Sequence, residues 1–157
     1  MSTFVICFTI PGVPGRKGRP RFSRRGQHVV VRNDDATMEF ESRVAMAAQS
    51  CFPTPFDGPI RLMVTAVYPR TIGLSGIDKK RNVPKYSAGR LFKDSAPDID
   101  NVVKAVADGL NGIAWVDDRQ VVQMLGEKYW AAMSLDEGGG WHQESAGTEV
   151  MVKALSC

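Results

Sequence analysis

The strongest periodicity in the chain runs from Ile99 to Leu110. Ile99, Val102, Val103, Val106 and Leu110 fall at i, i+3, i+4, i+7 and i+11 and draw one apolar stripe on a helix. Pro97 biases Ala96 away from the helical region, which makes Asp98 the N-cap, and Asn111-Gly112 supplies the stop. A second pattern of the same period, Phe40, Val44, Ala47, Ala48 and Cys51, predicts an earlier helix over 34–51. Asp34 and Asp35 are its candidate caps, and Glu39 and Glu41 belong to its solvated side. Alternation takes over from Ile60 to Tyr68, where Ile60, Leu62, Val64, Ala66 and Tyr68 share one face of a strand. Val121 to Trp130 reads as another strand, with Lys128 on the face of Val122 and Met124.

Shorter runs complete the picture. Thr3–Ile10 predicts a buried strand that Pro11 ends, His28–Arg32 a short strand or one side of a hairpin, and Thr148–Leu155 a final strand. Pro11 to Gly26 reads as a loop by its prolines, glycines and charges, and Glu137 to Gly147 as a glycine-rich connection. Pro69 to Ala96 carries no clear element, and a segment of that length inside a compact domain is functional or mobile. The order β–α–β–loop–α–β–β predicts an α+β fold: a single domain over residues 1–157, with a mixed β-sheet and two main helices packed against it.

Composition narrows the class. With 157 residues, 43% apolar and 24% charged, the chain has the makeup of an ordinary globular domain. No apolar run approaches the ~20 residues of a membrane span, and the N-terminus lacks a basic region followed by a long apolar segment. Cys7, Cys51 and Cys157 have no ligand spacing, and an odd count without a secretory signal points to reduced thiols and a cytoplasmic setting.

The net charge of +3 hides a segregation. Arg16, Lys17, Arg19, Arg21, Arg24 and Arg25 crowd together with no acid among them. Arg70, Lys79, Lys80, Arg81, Lys85, Arg90 and Lys93 form a second basic segment against Asp78 alone. Cationic loops of this kind suit a phosphate backbone, and the second is expected to be partly disordered without DNA. Gly15 and Gly18 would permit close approach of DNA to the first loop. Phe22, its aromatic, fits better beneath that loop than on an exposed base.

The acids concentrate between Pro97 and Gln120. Asp98 and Asp100 open the helix, where partial positive charge favours anions, and Asp117-Asp118 lie just beyond it. Carboxylates gathered on one site repel one another unless a hard cation neutralises them, and Mg²⁺ prefers oxygen ligands. A helix, a tight return and a strand offer a way to bring the second pair back to the helix N-terminus. The stretch therefore reads as a metal-dependent phosphodiester-cleaving site. An N-capping Asp98, a surface pair Asp100–Lys104 and a plain turn at Asp117-Asp118 account for the same residues without chemistry.

The motif P-D-x-D-N-x-x-K-x-x-x-D-x-L-N-G, then D-D-x-Q-V and a lysine in the following strand, resembles the RusA family of Holliday junction resolvases. The N-terminal P-G-x-P-x-x-K-x-R-P-R (Pro11, Gly12, Pro14, Lys17, Arg19, Pro20, Arg21) resembles it as well. The resemblance implies a Mg²⁺-dependent, homodimeric endodeoxyribonuclease that cuts four-way DNA junctions in recombination and repair. It maps the catalytic aspartates to Asp98, Asp100 and Asp118 and an essential lysine to Lys104. Asp118 over Asp117 is a choice the family pattern makes; the residues by themselves leave it open. Candidate DNA contacts are Arg16, Lys17, Arg19, Arg21 and Lys128. The rival readings are the same site used on flaps or single strands, and a DNA-binding protein without catalysis.

Overall fold

The computed structural model describes residues 4–18, 21–32 and 34–155. In chain order the elements are β1 (Val5–Pro11), β2 (Arg21–Arg25), β3 (His28–Arg32), α1 (Asp35–Gln49), β4 (Ile60–Tyr68), β5 (Ile77–Asp78), β6 (Val83–Pro84), β7 (Leu91–Phe92), α2 (Ile99–Leu110), β8 (Val121–Trp130), β9 (Met133–Leu135), β10 (Trp141–Gln143) and β11 (Gly147–Ala154). Five strands make one mixed sheet in the order β1-β11-β4-β8-β7. All neighbours run antiparallel except β4 and β8, the parallel pair whose crossover contains α2. This is the α+β domain that the hydrophobic pattern predicts.

Both helices lie on one face of the sheet. The alternation of β4 sends Ile60, Leu62, Val64 and Ala66 into the core, where they meet Val102, Val106 and Leu110 of α2 and Phe40, Val44 and Ala48 of α1. Gly126 lets α2 settle directly on β8, because a Cβ there would come within 2.5 Å of Val103 and 2.8 Å of Ile99. Trp115, fully buried, closes the core beyond the helix end.

Several local expectations change. β1 is a half-exposed edge strand, since β11 alone pairs with it. Part of the supposed 11–26 loop is β2, hairpinned to β3, and Phe22 on it is 72% exposed and not tucked beneath. Gly15 makes a close approach to Phe40 of α1, and Gly18 to Asp34 and Thr37, so the space a side chain would need at each is filled by α1 and its N-cap. The 69–96 segment is built around Arg70. Its buried guanidinium donates to the carbonyls of Ala131 (2.6 Å), Leu74 (3.3 Å), Ser87 (2.7 Å) and Gly89 (2.5 Å).

Candidate active site

Helix α2 carries the acidic motif. Asp98 has extended N-cap geometry but makes no side-chain cap hydrogen bond, so its carboxylate is not spent on the helix. Asp100 stands exposed in the first turn and Lys104 exposed one turn later. Among the described residues neither forms an ion pair, so the surface Asp100–Lys104 bridge does not explain them. The apolar stripe is buried on two sides, against β8 and α1, which fixes this charged edge outward.

The chain leading into Asp98 is clamped by two lysines. Lys128 donates to the carbonyls of Ser95 and Pro97, both at 2.7 Å. Lys93 is buried, with its ammonium 4.3 Å from the centre of the Trp130 ring and 5.1 Å from that of Tyr68. It donates to Ser95 Oγ (2.7 Å), the Ser95 carbonyl (3.1 Å) and the Ala96 carbonyl. Burial, reinforced by neighbouring Lys128, lowers the pKa of Lys93. Lys93 escaped the sequence reading because nothing local separates it from other cations of the basic segment.

The basic loop is tied to the same helix turn. The N–H of Lys17 donates to the Asn101 carbonyl at 2.9 Å, and the Gly18 N–H to Thr37 Oγ1 at 2.8 Å. Lys17 Nζ bridges Glu41 (2.7 Å) and Asp108 (2.5 Å), joining α1 to α2. Burial alone would lower its pKa, but the two carboxylates outweigh it and raise the value. Glu41 is thus not merely solvated.

The expected DNA contacts divide accordingly. Lys17 and Lys128 both have partners within the protein, Lys17 in Glu41 and Asp108 and Lys128 in the carbonyls of Ser95 and Pro97. Arg16 is exposed beside the tethered turn. Arg19 and the side chain of Arg21 lie outside the described residues. In the second segment Arg70 and Lys93 are buried, and Arg90 pairs with Glu144 (2.9 Å) and Glu149 (2.5 Å), leaving Lys79, Lys80, Arg81 and Lys85 exposed.

The second acidic pair separates cleanly. Asp117 caps a short 3-10 turn over Asp118–Gln120, accepts from the Arg119 backbone at 2.9 Å and pairs with the Arg119 guanidinium at 2.9 and 3.0 Å. Those hydrogen bonds hold its pKa below the ordinary value. Asp118 is exposed and takes one hydrogen bond, from Trp115 Nε1 at 3.0 Å. Tryptophan three residues before the acid was the available signal for this orienting contact, and the sequence reading missed it.

The return after α2 does not bring Asp118 back to Asp98 within one chain. Gly112, Ala114 and Trp115 fold over the C-terminal end of α2, against Phe56, and β8 starts there beside Ile60. Twelve helical residues at about 1.5 Å each put ~18 Å of axis between Asp98 and that end. Among the described residues, no three His, Cys, Asp or Glu side chains come together as a metal-binding group. The oxygen-only donors of Asp98, Asp100 and Asp118 suit a hard cation.

Comparison with known proteins gives this arrangement its class. Residues 11–135, spanning the basic motif and the whole acidic stretch, match the family described as "Endodeoxyribonuclease RusA". The protein is of the DNA endonuclease class, and it belongs to the RusA family. It is also 33% identical over 152 residues to "Uncharacterized protein YqaN" of Bacillus subtilis (strain 168), covering 96% of this chain and 97% of that one. Among the described residues no helix is long and apolar enough to cross a membrane.

Proposed function

We propose that the protein resolves four-way DNA junctions by paired, Mg²⁺-dependent nicks, acting in the cytoplasm as a twofold homodimer in recombination and repair. The observation that carries this reading is the free set Asp98, Asp100 and Lys104 on one exposed helix edge of a DNA endonuclease, where nearby Lys17, Lys93 and Lys128 are all engaged by the fold.

Bound Mg²⁺ would supply Lewis-acid polarisation of the phosphoryl oxygen and a water of lowered pKa. Asp98 and Asp100 are its ligands on this helix, and Asp118 is the third carboxylate of the motif. Lys104 sets a compact positive charge one turn from Asp100, where it stabilises charge developing on the phosphate. Arg16, on the loop tethered to Asn101, holds a neighbouring phosphate at the rim. Nicking two strands related by a twofold axis requires two sites in the same relation, which a C2 dimer provides.

A synthetic four-way junction, a matched linear duplex and a flap, each incubated with Mg²⁺ or EDTA, test the reading. Symmetric nicks in the junction alone, abolished by EDTA, are expected. Preferential cutting of the flap, or no metal-dependent turnover on any substrate, would refute it.

A further inference from the structure

Asp98 has the backbone angles of a helix cap, φ −67° and ψ 140°, and aspartate is among the strongest capping residues. Local preference would have its carboxylate accept from the N–H of Asp100 or Asn101. It makes no such bond, so α2 forgoes a cap that its own sequence supplies.

The segment leading into that cap is held by a lysine in an unusual setting. Lys93 is 6% exposed and, among the described residues, has no carboxylate at ion-pair distance. A buried ammonium without an acid is costly, and here aromatic faces and backbone offset the loss of water. The two rings beside it, Trp130 and Tyr68, are cross-strand partners on β8 and β4. An ammonium has three N–H donors, and three acceptors meet this one: Ser95 Oγ, the Ser95 carbonyl and the Ala96 carbonyl. The backbone N–H of Lys93 is fixed to the Lys128 carbonyl, and the Lys128 ammonium takes the carbonyls of Ser95 and Pro97. All three carbonyls before Asp98 are thus turned toward cations anchored on β8. Packing alone does not call for a charge at this position, because a methionine of similar length would fill the cage without the desolvation cost.

We infer that Lys93 is a positioning residue for Asp98: by holding the Ser95 and Ala96 carbonyls it keeps the Asp98 carboxylate off the N-terminus of α2 and available as a metal ligand. The inference rests on the metal-dependent reading above. The direction of one effect separates this role from two others. Removing a nearby positive charge strengthens cation binding by simple electrostatics. Removing a residue that only packs lowers Tm and leaves metal affinity alone. Removing a residue that holds Asp98 off its cap weakens metal binding.

Lys93→Met fills the cage but donates nothing. Hydrogen exchange at the Asp100 and Asn101 amides of the metal-free protein reports capping, and Mn²⁺ affinity by electron paramagnetic resonance reports the availability of Asp98. An aspartate cap of ~1 kcal/mol corresponds to about fivefold, at 1.4 kcal/mol per decade. Lys93→Met should therefore slow exchange at one of the two amides and weaken Mn²⁺ binding by about fivefold. Unchanged or tighter Mn²⁺ binding overturns the inference, and so does weaker binding with both amides exchanging as in wild type. Ser95→Ala removes one acceptor and leaves the cage intact. It should move both readouts the same way by less, and its result decides the matter if Lys93→Met fails to fold. A wild-type protein that binds no Mn²⁺ retires the metal-dependent reading, while amide exchange still shows whether Lys93 holds off the cap.

Discussion

Replacing Gly126 with alanine tests whether the seat of α2 on β8 sets the position of the aspartates. The added Cβ would sit 2.5 Å from Val103 Cγ2 and 2.8 Å from Ile99 Cγ1, where ordinary contact begins near 3.4 Å. Both neighbours are β-branched and held near one χ1 rotamer in a helix, so they cannot swing clear. The helix itself has to lift by about 1 Å, and Ile99 stands between Asp98 and Asp100. Overpacking of this kind costs ~1–3 kcal/mol. For a domain of this size that lowers Tm by roughly 2–12 °C. A displacement near 1 Å at reacting groups costs on the order of 10²-fold in rate. Single-turnover cleavage of a four-way junction at saturating enzyme in Mg²⁺, beside junction binding in Ca²⁺, separates positioning from affinity. The rate should fall by about that factor with binding retained. Adding Val103→Ala, which removes the closer clash, should restore part of it. Wild-type rate and Tm for Gly126→Ala would refute the reasoning.

Other substitutions probe the remaining assignments. Lys17→Met should lower stability by about 1 kcal/mol at neutral pH, because the bridge is only partly screened. The Lys17 pKa is raised above 10.5, so this contribution is complete below that value and vanishes as pH rises through the folded-state value; urea melts across that range should show the difference close. Lys17→Met should leave the slope of log K against log[salt] for DNA binding unchanged, while Arg16→Ala should reduce it by about one. Arg70→Met leaves several carbonyls without a donor and should cost about 3 kcal/mol, with limited proteolysis appearing within 71–90. Asp118→Asn should abolish cleavage and Asp117→Asn should not. The stabilisation from Asp117 is present above its ordinary 3.8 and disappears as pH falls through its lowered value, so acid melts of wild type and Asp117→Asn should converge there. Lys104→Ala should depress kcat with junction affinity retained, and Lys104→Arg should rescue poorly because a planar fork replaces a compact ammonium.

The sequence by itself determined the elements whose hydrophobic period is long and unbroken. α2, β4 and β8 lie where the 3.6- and 2-residue patterns put them, and for α2 and β4 the reason is that each buries one full face that a shift of a single residue would expose. It also determined the chemistry on offer: oxygen-only acids opening a helix, a lysine one turn on, and a basic loop far away in the chain. Only the tertiary structure decided which of those groups are free. Charge is visible in a sequence, but its partner is not. Lys17 meets Asp108 after a separation of ninety-one positions and Arg70 finds carbonyls in two distant segments, at Ser87 and Gly89 and at Ala131, so neither partnership is visible until the chain is folded. Likewise Asp117 and Asp118 are adjacent and chemically identical, and the turn distinguishes them by spending one on Arg119 and leaving the other beside Trp115. The distance between Asp98 and Asp118 was the least legible feature of all. A helix is a rigid spacer, and the twelve residues of α2 set the distance between the acids that open it and the turn that follows it.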